Sequence, residues 1–156
     1  MMPTRAGIGR SSARRTTEHL PHANVAATLA RMPERFDAEL LDRLRDAREV
    51  RIETSGGLGT PVHRTVIWVV VDGDGRVLIR SYRGGSARWF RETLSNPAVT
   101  LVLGDEAIAV TAQVATDADR IDAASRGYRE KYRRATGLNG MLADDVLSTT
   151  LELIPR

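Results

Sequence analysis

The sequence predicts an α+β protein, a small and mainly antiparallel β-barrel of six strands with peripheral helices. Three observations carry this. Short runs rich in β-branched residues, at 50–54, 66–71, 77–82, 99–103, 106–116 and 147–154, have the length of strands rather than helices. Two connections, Asp72-Gly73-Asp74-Gly75 and Gly104-Asp105, have hairpin composition, since aspartate and glycine tolerate the positive φ of tight turns. Segments with helical apolar spacing sit at the start, between the third and fourth strands, and before the last strand.

In chain order, residues 1–31 are rich in Arg, Ser, Thr and Ala and poor in large apolar side chains. They read as a disordered basic extension reaching residue 33, as an organelle transit peptide, or as an over-extended start with Met32 as the true first residue. A single barrel domain is expected over 34–156. Its first helix is marked by Phe36, Leu40, Leu41, Leu44 and Ala47. Val50, Ile52 and Thr54 alternate with Arg51 and Glu53 in a half-buried strand. Residues 55–61, SGGLGTP, then form a glycine-rich loop, either a phosphate cradle or a plain connection; it carries no basic residue before His63 and Arg64. The unbroken run 66–71 is expected to be one strand buried on both faces, paired through the Asp-Gly turn with 77–82.

Arg80, Ser81, Arg83, Gly84, Gly85, Ser86 and Arg88 follow, just before a helix anchored by Trp89 and Phe90. In outline this is an anion site: glycines admit a ligand close to the backbone, Ser86 caps the helix, and a helix N-terminus offers free N–H groups beside guanidinium donors. The alternative is a hairpin-to-helix connection with solvated arginines. Asn96-Pro97 ends the helix. Two strands joined at Gly104-Asp105 come next, then a helix begun by a capping box at Thr116-Asp117-Ala118-Asp119 and ended by Gly137, with Ile121, Ala124, Tyr128 and Tyr132 on one face. The two tyrosines serve as core packing or as donors to a substrate.

Composition excludes several classes. No cysteine is present, which removes disulfides, thiolate metal sites, iron-sulfur clusters and a cysteine nucleophile. The histidines are His19, His22 and His63, the first two in the N-terminal segment, so no multi-histidine metal centre is expected in the core. Residues 1–33 hold five arginines against one acid, which leaves 18 of the 23 basic and 19 of the 20 acidic residues in 34–156. The folded part is close to neutral, so nucleic acid is not an expected partner. The sequence shows no membrane-length apolar run and no compact apolar core of a secretory signal, and a cytoplasmic location is expected.

From about residue 40 to 155 the chain resembles the split β-barrel flavin- and deazaflavin-binding superfamily of pyridoxamine-phosphate oxidase and the deazaflavin-dependent nitroreductases. The residues that carry the resemblance are Ile67-Trp68-Val69-Val70, Arg80-Ser81-Tyr82-Arg83-Gly84, Arg88-Trp89 and Thr149-Thr150-Leu151-Glu152-Leu153-Ile154-Pro155, and they resemble more specifically a bacterial subfamily without an assigned function. Ser81, Gly84, Gly85, Trp89, Asn96 and Pro97 fit the deazaflavin-branch loop, while Ser86, Arg88 and Arg64 are nearest to the phosphate-holding residues of the oxidase branch. The resemblance implies an FMN- or deazaflavin-dependent oxidoreductase acting on a small molecule, working as a homodimer. Arg64, Ser81, Arg83, Gly84, Gly85, Ser86, Arg88 and Trp89 would bind the cofactor, and His63, Trp68 and Tyr128 would face substrate. It departs from the pattern at Gly57-Leu58, where the deazaflavin branch has an arginine-lysine pair, at Glu92 in place of asparagine, and at Val69 in place of the oxidase lysine. These departures leave room for a non-enzymatic ligand-binding barrel.

Because the patterned part begins after residue 33, deletion of residues 1–31 is expected to leave the fold intact. Thermal melting tests this; a midpoint drop beyond the few degrees that about 1 kcal/mol produces would show that the segment contributes to stability.

Overall fold

The computed structural model describes residues 35–156; the predicted extension at 1–33, with His19, His22 and the Met32 start, lies outside the described residues. Helix α1 (Ala38–Asp46) opens at Asp37, whose carboxylate accepts from Leu40 N at 2.8 Å, and it buries Leu40 and Leu44. Strands β1 (Val50–Ser55), β2 (Val62–Ile67), β3 (Val69–Val71) and β4 (Val77–Ile79) follow. A single 3-10 turn (Gly84–Ser86) leads into α2 (Arg88–Ser95), then β5 (Ala98–Leu103), β6 (Glu106–Val114), α3 (Ala118–Lys131), the short α4 (Leu138–Met141), a 3-10 segment (Asp144–Thr149) and β7 (Leu151–Pro155). The result is an α+β split barrel, as predicted, with seven strands rather than six.

The extra strand arises at Trp68. The strands are ordered β2-β1-β5-β6-β7-β4-β3, every neighbouring pair antiparallel. Thus β2 and β3 are opposite edges of the sheet, yet one residue separates them in sequence. Consecutive Cα atoms are about 3.8 Å apart, so the two edges approach within about 7.6 Å at this point and the sheet must curl almost closed. The expectation of one strand over 66–71, buried on both faces, is corrected accordingly: Val66 belongs to β2 and is 53% exposed, while Val69 and Val70 in β3 are buried.

Layering explains which runs are wholly apolar. The barrel interior packs Ile52, Val69, Ile79, Leu101, Val110 and Leu153 with Leu40 and Leu44 of α1 and with Trp89 and Phe90 of α2. Val70 and Leu78, on the other face of the β3–β4 hairpin, pack beneath α3 against Ala124, Tyr128 and Tyr132. Two-sided burial therefore accounts for the apolar sequence of β3 and β4, whereas β1, covered on one face, alternates.

Other boundaries shift from expectation for local reasons. Ser86 does not cap α2: its hydroxyl donates to Arg83 O at 2.9 Å and Ala87 occupies the cap position without a side-chain bond. In α3 the cap is Asp117, accepting from Arg120 N at 3.0 Å, rather than Thr116. That helix stops at Lys131, six residues before Gly137. The closing strand starts at Leu151 because 144–149 coil into the 3-10 segment. The second hairpin strand ends at Ile79, since Arg80 and Ser81 turn into buried side-chain networks. No helix among the described residues is long and apolar enough to cross a membrane.

Lys131, the chain's sole lysine, locks these layers together. Its ammonium donates to Leu44 O of α1 at 2.9 Å and to Val69 O of β3 at 2.7 Å. Desolvation pushes its pKa down to about 8, against a partial opposing pull from Asp46. The unfolded chain keeps this proton up to the ordinary lysine value of about 10.4, so the fold carries the full penalty below pH 8 and sheds it as pH rises. Stability in urea is expected to increase between about pH 8 and pH 10 in the wild type and to lose that slope in Lys131→Met. An unchanged slope in the variant would assign the effect elsewhere.

Candidate functional site

At the seam where β2 passes into β3 the barrel wall opens into a cavity of ≈ 340 Å³, lined by Glu49, Val66, Ile67, Trp68, Arg80, Tyr82, Trp89, Gly137 and Met141. Trp68 is fixed on several sides. Its indole stacks on Tyr132 at 4.2 Å between centroids and 4° between planes, and its carbonyl accepts from the Tyr128 hydroxyl at 3.3 Å. Tyr132 is fixed in turn by donating to Arg48 O at 2.8 Å. Desolvation raises both phenols' pKa values, Tyr132 to about 12, so neither ionises in the ordinary range. From α2, Trp89 reaches the same cavity and meets Phe90 edge to face at 6.1 Å.

Helix α4 and the turn before it form a glycine shelf beneath these rings. A Cβ on Gly137 would stand 3.3 Å from Trp68 Cη2, and one on Gly140 would overlap the Tyr82 ring outright. Tyr82 is thereby laid against α4 while remaining 58% exposed.

Arg80 departs most from the expected exposed anion loop. It is 1% exposed. Its guanidinium donates to Thr150 Oγ1 at 2.9 Å, Ser125 Oγ at 3.1 Å, Met141 O at 2.8 Å and Ile121 O at 3.0 Å, and it lies 5.6 Å from the Tyr128 ring centroid. Desolvation lowers its pKa, but a guanidinium remains charged in proteins. Ser81 is also committed internally, with its hydroxyl on Gly84 O at 2.8 Å and its amide on Thr149 Oγ1 at 3.1 Å. Gly84 is required there by its φ of +64°.

The remaining predicted residues separate into three places. Arg83, Gly85, Ser86 and Arg88 form an exposed rim at the start of α2 that does not itself line the cavity; there Arg88 is 62% exposed and its Nε lies 3.9 Å from Glu92 Oε1. His63 stands beside this rim: its Nδ1 is 2.6 Å from Glu92 Oε1, while Thr54 Oγ1 donates to Glu92 Oε2 at 3.1 Å. The carboxylate thus orients the imidazole through Nδ1. Arg64, the next residue on β2, points to the opposite face and pairs with Glu53 at 3.0 Å. Tyr128 is fully buried. The structure therefore joins Trp68 and Trp89 at one cavity, leaves Arg83 and Arg88 at the rim, and sets Arg64 and Tyr128 apart from it. Sequence reasoning missed Glu49, Tyr82, Met141 and the buried role of Arg80. The pair Gly137 and Gly140, three residues apart in a helical segment, was the available signal for rings packed close to backbone.

Replacing Gly140 by alanine is expected to displace the Tyr82 ring and alter the cavity wall. A changed tryptophan emission spectrum in a folded Gly140→Ala protein is the expected result; an emission identical to wild type would show that the shelf does not shape the cavity.

Solved structures share this architecture at low sequence identity. The haem storage protein HutZ of Vibrio cholerae superposes with a TM-score of 0.54 at 13% identity, over 78% of this chain and 91% of its own. A candidate pyridoxamine 5'-phosphate oxidase of Listeria innocua gives 0.52 at 15% identity, covering 74% of this chain and 89% of that one. An F420-H2-dependent reductase gives 0.51 at 18% identity, covering 69% and 93%. These likenesses establish the split-barrel fold. No curated protein matches the sequence. Residues 40–153 match the family model described as "Uncharacterized protein conserved in bacteria (DUF2255)".

Proposed function

The chain belongs to the DUF2255 family of bacterial proteins, and on that premise we propose that it binds FMN or a deazaflavin at the seam cavity and acts as an oxidoreductase on a small molecule in the cytoplasm. One observation carries the proposal: both tryptophans of the chain, 21 positions apart, one at the β2–β3 junction and one on α2, converge on one cavity at the barrel seam. Its volume falls within the range of small-molecule sites, and its wall combines three aromatic side chains with aliphatic ones, one guanidinium and one carboxylate residue. That set suits a flat conjugated ring with polar edges.

Trp68 and Trp89 would wall the ring, with Tyr82 closing its exposed side. Arg83, which makes no ion pair among the described residues, and Arg88, held only at 3.9 Å from Glu92, would neutralise a phosphate. Ser81, Gly84, Gly85 and Ser86 hold the rim in shape, and Arg64, paired with Glu53, lies outside the phosphate set. When bound, such a cofactor supplies the redox chemistry, so no catalytic triad is required of the protein. His63, oriented by Glu92, is the candidate to exchange a proton with substrate at Nε2. The exposed valines of β2, Val62 and Val66, make that face a candidate surface for a homodimer.

A non-enzymatic ligand carrier of the same fold is the alternative, favoured by the uncharged Gly57-Leu58 loop and by the engagement of Arg64 with Glu53. Tryptophan fluorescence separates the outcomes, because both tryptophans line the cavity. Titration with FMN or with a deazaflavin is expected to quench the emission. Arg88→Ala should weaken binding about ten- to hundredfold, as the loss of a charge-assisted hydrogen bond implies, while Arg126→Ala on α3 leaves it unchanged. Quenching by haemin alone would overturn the flavin assignment, and binding without turnover of any reductant would favour the carrier. Light scattering should give a dimer.

A further inference from the structure

We propose that the seam cavity is selective for planar organic anions, with Arg80 as the residue that sets this preference. The inference rests on the reading that the cavity holds a flat ring, and it adds the charge of that ring. Every hydrogen-bond acceptor of Arg80 is a hydroxyl or a backbone carbonyl, and among the described residues no carboxylate lies within ion-pair distance of it. A guanidinium that is 1% exposed therefore retains a positive charge without a counter-ion in the fold. Arg80 and Met141 both line the cavity, and the guanidinium donates to Met141 O at 2.8 Å, so the charge lies at the wall or one hydrogen bond behind it.

Two features shape what this charge attracts. The four hydrogen bonds hold the guanidinium against α3, α4 and the segment before β7, so it is preorganised and does not swing out to solvent. Trp68, Tyr82 and Trp89 supply flat apolar surface around it, which favours a conjugated ring over a compact ion. Among the described residues the only acid on the wall is Glu49, which is exposed and well screened by solvent. An aromatic carboxylate and the anionic form of a redox-active ring share the chemistry that fits: delocalised negative charge at the edge of a plane.

Isothermal titration calorimetry of the full chain with 2-naphthoate and with neutral 2-naphthamide tests the charge preference directly. Naphthoate is expected to bind about tenfold more tightly or better. Arg80→Gln should remove the preference, with circular dichroism and melting used to confirm the fold, and Glu49→Gln should strengthen naphthoate binding modestly. Equal affinities for the two probes in the wild type would overturn the proposal, as would a folded Arg80→Gln protein that keeps the full preference. Should Arg80→Gln not fold, the wild-type comparison and Glu49→Gln decide the matter. FMN binding without a naphthoate preference would leave the cofactor assignment standing and remove this one; naphthoate preference without FMN binding would do the reverse and identify an aromatic acid as the ligand.

Discussion

One covalent constraint organises the molecule: Trp68 alone joins the two edge strands of a seven-stranded sheet. Because a single residue cannot span an open sheet, the strands must curl until β2 and β3 meet. Curling creates the interior that Ile52, Leu101 and Leu153 fill, and it leaves an imperfect joint at which the cavity forms. The joining residue is large, flat and stacked on Tyr132, so the joint is braced rather than loose. The position that closes the barrel is thus also a wall of the proposed site.

The second organising element is buried charge. Arg80 bonds to residues of α3 and α4 and to Thr150 before β7, and Lys131 bonds to α1 and β3. Both cations use neutral acceptors, mostly backbone carbonyls. Such bonds fix relative positions strongly, yet leave the positive charge uncompensated. For Lys131 the consequence is a lowered pKa, since an amine can release its proton. A guanidinium holds its proton, so at Arg80 the charge persists, which is the basis of the proposed anion preference.

Around the cavity, shape follows from small residues as much as from aromatic ones. Gly137 and Gly140 allow Trp68 and Tyr82 to lie against α4: a Cβ at Gly140 would overlap the Tyr82 ring, and one at Gly137 would crowd Trp68. At the rim, Arg83 and Arg88 stay accessible while the Ser81 hydroxyl and the Ser86 hydroxyl are spent on the turn between them. The proposed site therefore rests on the rings and cations, while both serine hydroxyls are engaged within the turn.

Much of this was legible from the sequence alone. The Asp-Gly hairpin, the alternation of β1, the apolar face of α3 and the proline stop after α2 are local patterns, and local sterics and periodicity determine them. The small antiparallel barrel followed from their order, and the split-barrel class from the family resemblance. What the tertiary structure decided was every feature that depends on which distant element packs nearby. Residues 66–71 form an apolar run whether or not it breaks at Trp68, and only the pairing of Val69 with Ile79 rather than with β1 shows where it divides. Arg80 and Arg88 are both arginines near one loop, yet α3, α4 and Thr150 bury the first while the second remains in water. Arg64 and His63 are neighbours in sequence, but strand alternation places them on opposite faces, one against Glu53 and the other against Glu92. Burial and facing are properties of long-range contacts, and a linear pattern records them only where one face is always covered.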